Sequence, residues 1–252
     1  MKPSNQTCST STTRVEAVII NWKRPRNVEA IISALQDQSV ACDITLCDCH
    51  PEPEYAIRDS VIDSVRRVFR WNQNLGAYSR YVPTFAFDRE YTFFLDDDLL
   101  PGKRCIEHFL EMSARQEFGV LGQLGRRLDT DGEYRPRRVA RTSHFEEVDV
   151  VIRAYFVRTE MLFALGQLRW RMGIPSQADS EDDILLAAAM QMYNQLGCFL
   201  TPSSDDPETR VDKEELPADF ALSRRIDHLD RRNAAISHVS TLGWKPMFTR
   251  SK

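Results

Sequence analysis

Short apolar runs alternate with amphipathic segments over the first hundred residues of the chain. The run at residues 15–20 (VEAVII) is almost continuously apolar, as expected of a strand that is buried on both faces. From residue 27 to about residue 38, apolar residues such as Ile31 and Leu35 recur at helical spacing. The pattern predicts strands at 15–20, 43–47, 67–71 and 91–95, and helices at 27–38 and 77–87.

This alternation is typical of an α/β fold with a Rossmann-like, mostly parallel central sheet that carries helices on both faces. The ligands of such sheets bind beyond the carboxyl ends of the strands. We therefore look for chemistry where the predicted strands end.

The order of elements changes after about residue 103, where a smaller second sheet is expected. Asp131-Gly132 predicts the turn of a hairpin with arginine-rich arms. Residues 203–219 carry seven acidic residues and two prolines, which predicts a mobile loop. Ser180 or Asp179 is the expected N-cap of the helix predicted at 180–196. The pattern predicts helices at 105–117, 159–165, 180–196 and 220–242, and strands at 120–124 and 147–152.

Composition narrows the class of protein. The 252 residues are 42% hydrophobic with a net charge of −4, which excludes collagenous and wholly disordered chains. No run approaches the roughly 18 apolar residues of a membrane-spanning helix. Residues 1–14 are polar, so we expect a disordered tail that lacks the apolar stretch of a secretory signal. We expect a soluble, cytoplasmic protein whose residues 15–252 form one domain, with a nucleotide half at 15–103 and an acceptor half at 104–252.

The strand predicted at 91–95 runs directly into three carboxylates, Asp96, Asp97 and Asp98. Adjacent negative charges repel, so such a cluster is easiest to maintain where a divalent cation compensates it. Carboxylate oxygens at a strand end suit Mn²⁺ or Mg²⁺ bridging to phosphate oxygens. The same triplet also fits a solvated acidic turn before the next helix.

A second acidic cluster, Glu181, Asp182 and Asp183, begins a predicted helix. Acidic residues in a first turn complement the helix dipole by a few tenths of a kcal/mol, which is a purely structural explanation. The functional explanation is a carboxylate that stabilises positive charge on a sugar ring or accepts a proton. The residues alone leave both explanations open.

Polar residues that suit a nucleotide follow the other predicted strands. Arg24 comes after the first strand and Asp48 ends the second, where a carboxylate suits a base or ribose. Asn74 and Arg80 belong to the segment WNQNLGAYSRYVP, in which the third predicted strand passes into the next helix. Arginine binds diphosphate oxygens bidentately, and asparagine permits the tight backbone that such a junction needs.

These features, in this order, resemble the glycosyltransferase domain of the exostosin-like family. The matching features are an apolar first strand with an aromatic-Lys-Arg loop, residues 74–83, the strand ending in Asp-Asp-Asp, and an Asp-Asp pair opening a helix, over roughly residues 15–247. The resemblance implies a GT-A fold, a nucleotide-diphosphate sugar donor, Mn²⁺ (or Mg²⁺), and transfer with retention of anomeric configuration. One departure is Ser79, where family members often carry asparagine before the arginine.

The resemblance also implies roles for single residues. Asp98 matches the principal metal ligand, and Asp96 a nucleotide contact that also reaches the metal. Asp182 and Asp183 match the family's catalytic Asp-Asp pair, in which Asp183 is the carboxylate under the sugar. Arg231 or Arg232 matches an arginine on a late helix that holds the departing diphosphate. The expected nucleotide-sugar contacts are Arg24, Asp48, Asn74, Arg80, Asp96 and Asp97.

Two arginine-rich stretches bear on the acceptor. Residues 126–141 contain six arginines against three acidic residues, and residues 224–232 contain four arginines. An anionic acceptor, either a uronic-acid glycan or a nucleic acid with a modified base, would explain both stretches. A hairpin paired with the acidic residues 203–219 explains them as well, and the net charge argues against a general DNA-binding protein.

The sequence thus predicts a glycosyltransferase that moves a sugar from a UDP-sugar to a hydroxyl of a glycan or glycoconjugate. The alternative hypotheses are the same chemistry on a modified base in DNA, a sugar nucleotidyltransferase, and a sugar-binding module without catalysis. The lack of a glycine-rich phosphate loop after the first strand counts against the nucleotidyltransferase.

Overall fold

The structure, a computed structural model, describes residues 13–49, 52–129, 132–134, 138–173, 181–218 and 221–247. Its strands are β1 Val15–Asn21, β2 Asp43–Asp48, β3 Arg67–Arg70, β4 Tyr91–Leu95, β5 Leu99–Leu100, β6 Val120–Gly122, β7 Leu124–Arg126, β8 Arg138–Ala140, β9 Glu146–Val148, β10 Val150–Val151, β11 Ala154–Arg158, β12 Cys198–Leu200 and β13 Glu214–Glu215. Its α-helices are α1 Pro25–Gln36, α2 Asp59–Ile62, α3 Cys105–Ser113, α4 Phe163–Met172, α5 Asp182–Tyr193 and α6 His228–Thr241. Its 3₁₀ helices are Pro53–Tyr55, Ala77–Ala86, Thr159–Leu162, Pro207–Thr209 and Leu222–Arg224.

The central sheet has eight strands in the order β3-β2-β1-β4-β11-β6-β12-β9. The first four of these strands are mutually parallel, and β6 and β12 run in the same direction because β11 pairs antiparallel with both β4 and β6. Strand β9 closes the far edge in an antiparallel pair. The α/β fold with a mostly parallel central sheet is therefore confirmed, and two smaller sheets, β10-β7-β8 and β13-β5, accompany it.

Strands β1 and β4 form the centre of the core and are buried along their whole length. Their successive side chains point to opposite faces of the sheet. Val18 and Phe94 pack into the cluster that contains the apolar residues of α4 and α5. Ile19 and Phe93 pack into the opposite cluster, with α1 and α3. Because both faces are covered, these strands have few polar positions, and this is why they were predictable.

The predictions for the first hundred residues are confirmed within a few residues at each boundary, with one exception. The helix predicted at 77–87 is a 3₁₀ helix, Ala77–Ala86, with Pro83 inside it. Proline has no N–H to donate and its ring clashes with the preceding turn of an α-helix, which accounts for the irregular hydrogen bonding.

The second half departs further from the prediction. The strand predicted at 120–124 divides at Gln123 into β6 and β7, which belong to different sheets, and the one predicted at 147–152 divides at Asp149 into β9 and β10. Strands β11 and β12, both in the central sheet, were not predicted. Strand β12 has three residues, which are too few to establish a periodicity.

The predicted helices of this half are displaced or shortened. Helix α3 ends at Ser113, α4 follows a 3₁₀ turn, and α6 begins at His228. Helix α5 begins at Asp182, and its predicted N-cap residues, Asp179 and Ser180, lie outside the described residues, as do residues 1–12 of the expected tail.

The hairpin is confirmed in its arms, since β7 pairs antiparallel with β8, although Asp131 of the predicted turn lies outside the described residues. Within the described ranges, no helix has the length and apolar character needed to cross a membrane.

The acidic segment, defined as residues 203–219 and described as far as Ala218, has more structure than the predicted mobile loop. It contains the 3₁₀ helix Pro207–Thr209 and strand β13, which pairs antiparallel with β5. Its carboxylates pair with bases inside and outside the segment: Asp206 with Arg104, Glu208 with Lys213, and Glu215 with Arg153. These partners differ from the arginine-rich hairpin that the sequence suggested.

Candidate functional site

The central sheet contains a topological switch point between β1 and β4. Strand β1 continues through α1 to β2 on one side, whereas β4 lies on its other side. In open α/β sheets, connections that leave in opposite directions open a crevice outside the carboxyl ends of the two strands. Here the loop after β1 carries Trp22 and Arg24, and the loop after β4 carries the aspartate triplet.

Asp97 joins these two loops. Its Oδ1 lies 2.5 Å from Nη1 of Arg24, and its Oδ2 accepts a hydrogen bond from the backbone N–H of Trp22 at 3.2 Å. Burial raises the pKa of Asp97 to about 6, against the opposing effect of the Arg24 charge. The side chains of Arg24 and Asp97 therefore pair with each other and hold the two loops together.

Asp96 and Asp98 flank this buried residue and are more accessible, with 29% and 15% of their side chains exposed. Asp98 Oδ2 lies 3.5 Å from Arg24, and its Oδ1 is buried without a hydrogen-bond partner in the part of the chain that the structure describes. Carboxylate oxygens of this kind suit a hard divalent cation. Among the described residues, no group of three His, Cys, Asp or Glu side chains converges in the manner of a complete metal site.

Arg80 connects the triplet to the second acidic cluster. Its Nη1 donates to Asp96 Oδ1 at 2.8 Å, and its Nε lies 3.4 Å from Asp182 Oδ2. Tyr81 donates its hydroxyl to the same Asp182 oxygen at 3.2 Å. Burial lowers the pKa of Arg80, but the charges of Asp182 and Asp96 more than offset it and hold the pKa well above its usual value.

The start of α5 is buried, which its charges alone would not predict. Glu181, Asp182 and Asp183 are all at least nine-tenths buried. Burial raises the pKa of Asp182 to about 6, although the Arg80 charge opposes the shift. Helix-dipole stabilisation of a few tenths of a kcal/mol does not offset the desolvation of three carboxylates. The cluster therefore depends on the arginines that pair with it.

Arg232 supplies the main pairing on the other side of this cluster. Its Nη2 lies 2.5 Å from Asp183 Oδ2, and its Nη1 lies 3.0 Å from Glu181 Oε2. Arg231, which the sequence analysis favoured, is 30% exposed and reaches Glu181 at 3.5 Å. Helix α6 buries residues at spacings of three and four, Arg232, Ala235, Ile236 and Val239. That periodicity is a sequence signal that points to Arg232.

Asp48 and Asn74 occupy different environments. Asp48 is buried at the end of β2, where it accepts from Asn21 Nδ2 at 2.9 Å and from Arg70 Nε at 3.4 Å. The Oδ1 of Asn21 is buried and has no hydrogen-bond partner among the described residues. Asn74 accepts the backbone N–H of Gly76, whose φ of 73° lies in the left-handed region that favours glycine. Asn74 thus shapes the turn that leads to Arg80.

Asn27 on α1 is a site residue that the sequence analysis missed. Its Nδ2 donates to the backbone oxygen of Asp97 at 2.9 Å and to that of Pro217 at 2.8 Å. The backbone N–H of Leu216 also donates to the oxygen of Asp98 at 2.8 Å. The end of the acidic segment is therefore fastened against the aspartate turn, a contact between residues far apart in the chain.

Two non-glycine residues in the left-handed region flank the switch point. Lys23 has a φ of 61° and Arg153 a φ of 74°. The carbonyl of Arg153 accepts the backbone N–H of Asp96 at 3.0 Å. Such conformations cost on the order of 1–3 kcal/mol and persist where the surroundings determine them. Both residues lie in loops that shape the carboxyl edge of the sheet.

Comparisons with known proteins bear on the fold. No protein-family model matches this sequence, and no curated protein matches it significantly. A crystal structure of S. aureus TarS in complex with UDP-GlcNAc is similar, with a TM-score of 0.51 and 13% identity over 77% of this chain and 60% of that chain. TarS in complex with UDP gives a TM-score of 0.51 and 14% identity, over 76% and 61%. This chain therefore spans less than two thirds of the TarS structures.

A structure of CMP:2-keto-3-deoxy-manno-octonic acid synthetase complexed with CTP is also similar, with a TM-score of 0.50 and 10% identity over 80% of this chain and 94% of that chain. At these identities the likeness concerns the fold. This likeness does not identify the chain as a member of the exostosin-like family, so that part of the resemblance stays a prediction. The chain has a GT-A-like fold.

Proposed function

We propose that this chain is a metal-dependent glycosyltransferase that moves a sugar from a UDP-sugar to an acceptor hydroxyl with retention of configuration. The proposal rests on the position of Arg80, which contacts both Asp96 and Asp182. Through it, the triplet at the switch point adjoins the buried carboxylates of α5. Glycosyl transfer needs a site that holds the donor's diphosphate next to carboxylates that stabilise the developing charge on the sugar.

The nucleotide would lie over the ends of β1 and β2. Asp48 and the unpartnered Oδ1 of Asn21 offer acceptors for the N–H and O–H groups of a base and ribose. The TarS structures contain UDP-GlcNAc and UDP, which supports a uridine nucleotide as the donor here.

Asp98 and Asp96 would hold Mn²⁺ or Mg²⁺. The free Oδ1 of Asp98 fits this role, since a buried carboxylate oxygen without a partner is costly unless a donor or cation satisfies it. Two protein carboxylates would leave room around such a cation for diphosphate oxygens and water. When bound, the cation supplies neutralisation of the negative charge that develops on the leaving diphosphate.

In the transfer itself, the bond between the sugar C1 and the diphosphate oxygen breaks, and its electron pair leaves with UDP. The acceptor oxygen bonds to C1 on the same face, and its proton passes to the departing phosphate oxygen. Asp183, oriented by Arg232, stabilises the positive charge on the sugar ring, and Arg80 orients Asp96 and Asp182. Removal of one such electrostatic contact raises the activation free energy by about 3 kcal/mol, which lowers the rate ~100-fold.

Calorimetry and NMR test this function. We expect UDP to bind only when Mn²⁺ or Mg²⁺ is present, and one UDP-sugar among a panel to be hydrolysed slowly with retention, so that NMR identifies both sugar and anomer. An absence of UDP binding at millimolar Mn²⁺ would overturn the proposal.

A sugar nucleotidyltransferase is the second candidate, favoured by the likeness to the synthetase complexed with CTP. That enzyme class would join an NTP and a sugar and release pyrophosphate. Preference for CTP or UTP over UDP, with pyrophosphate release on addition of sugar acids or sugar phosphates, would support it. Binding of UDP-sugar without any turnover would instead support the non-catalytic module.

A further inference from the structure

The ring of Tyr134 lies between two arginine side chains beside Asp183. The guanidinium carbon of Arg232 is 3.9 Å from the ring centroid, and that of Arg126 is 6.0 Å from it. The His228 ring meets it edge-on, with 6.4 Å between centroids. Tyr134 itself is buried, and its backbone N–H donates to Asn233 Oδ1 at 2.7 Å. The ring thus has a fixed place between the two arginines.

Among the described residues, neither the buried Nε–H of Arg126 nor that of Arg232 has a hydrogen-bond acceptor. Buried polar groups are normally hydrogen-bonded, so unsatisfied donors need a specific explanation. At the switch point the unsatisfied atoms are oxygens, those of Asp98 and Asn21. Near Asp183 they are N–H donors, and these favour a ligand that offers negatively charged oxygens.

The charge of Arg126 is also uncompensated within the described residues. Arg232 is paired with Asp183 and Glu181, whereas Arg126 forms no ion pair with a described carboxylate. Its neighbour Arg127 is paired with Glu146 and donates to the backbone oxygen of Glu147. Arg126 is partly exposed, so a ligand can reach it.

We propose that Arg126, Tyr134 and Arg232 form an acceptor subsite that binds a carboxylate or phosphate group of an acidic acceptor glycan. This inference rests on the proposed function, because Asp183 then marks where the acceptor hydroxyl meets the sugar. Guanidinium forks bind either anion bidentately, and the Tyr134 ring adds an apolar wall. The net charge of −4 and the acidic segment disfavour an extended polyanion, so a glycan fits better than a nucleic acid.

Titration by NMR with three simple probes tests the subsite: methyl glucuronide, glucose 6-phosphate and neutral methyl glucoside. The probes are titrated into the full chain with and without UDP and Mn²⁺. We expect one acidic probe to bind at least about tenfold more tightly than the neutral one, because a charge-assisted hydrogen bond is lost without the anion. The comparison of the two acids identifies carboxylate or phosphate as the preferred group.

The Arg126→Gln variant is expected to remove this preference, and Arg127→Gln, the matched control, to retain it. Arg126→Lys keeps the charge and retains part of the preference, and it replaces the glutamine variant should that one fail to fold. UDP binding is measured in the same samples and is expected to be equal in all variants.

Equal binding of the acidic and neutral probes, or an unchanged preference in Arg126→Gln, would overturn the subsite while leaving the proposed function intact if UDP still binds. A short DNA oligonucleotide that binds more tightly than both acids through Arg126 would overturn the glycan assignment. Loss of UDP binding with a retained probe preference would count against the proposed function alone.

Discussion

Arg232 and Asp183 form a buried ion pair in which 2.5 Å separates Nη2 from Oδ2, with each side chain only 7% exposed. Burial lowers the pKa of Arg232, but the Asp183 charge more than offsets it, so the pKa lies above its usual value. The pair fixes the carboxylate at the start of α5 relative to α6. Because Arg232 is buried in this pair and its neighbour Arg231 is partly exposed, the two arginines are expected to contribute very differently to stability.

Arg232→Gln is expected to lower the free energy of unfolding by about 3–5 kcal/mol, because it leaves the buried carboxylates of Glu181 and Asp183 without their main partner. Arg231→Gln is the matched control and is expected to cost no more than about 1 kcal/mol, since that side chain is partly exposed. Urea unfolding measures both. Equal losses would show that the two arginines share the role.

Asp183→Asn is expected to reduce transfer by about 100-fold or more while leaving UDP affinity unchanged. Asparagine keeps the shape and one acceptor for Arg232 but removes the negative charge that stabilises the sugar ring. Asp230→Asn, at an exposed position on α6, is the control. The measurement combines calorimetry with UDP and initial rates with the UDP-sugar found by the NMR screen. Retained turnover in Asp183→Asn would show that the catalytic carboxylate is another residue.

Asp98→Asn is expected to abolish metal-dependent UDP binding and to leave the fold intact. The substitution removes the charge of the carboxylate whose Oδ1 has no protein partner. Asp37→Asn changes an exposed carboxylate paired with Lys103 and is expected to have no effect. Calorimetry with Mn²⁺ and with EDTA measures the difference, and circular dichroism checks the fold. Unchanged affinity in Asp98→Asn would refute the metal assignment.

Asp182 is expected to make stability fall with rising pH in the ligand-free protein. Burial raises its pKa to about 6 in the folded state, against ~3.9 in an unfolded chain. Between these values the folded state binds more protons, so the contribution of Asp182 is fully present at the acidic end and is lost as pH rises through about 6.

The Asp182→Asn variant lacks this titration. Its stability relative to wild type should therefore improve as the pH is raised from about 4 to about 7. Urea unfolding of both proteins across this interval measures the difference, in which titrations shared by the two largely cancel. A wild-type protein that gains stability over the variant as pH rises would contradict the expected direction.

Much of the fold was accessible from the sequence because its central strands are covered on both faces. β1 and β4 must be apolar along their length to lie between two helical layers, and β4 then ends abruptly in Asp96–Asp98. The same argument failed for β11 and β12. These strands join the central sheet through pairings with distant strands, and β12 has only three residues.

The sequence by itself determined the α/β class, the edge of the sheet at which chemistry is expected, and the types of residue gathered there. Only the tertiary structure decided which of them meet: Arg80 with Asp96 and Asp182, Arg232 with Asp183, Asn27 with Pro217, and Tyr134 with Arg126. Local periodicity reports whether a position is buried, whereas the partner of a buried charge depends on how distant segments pack.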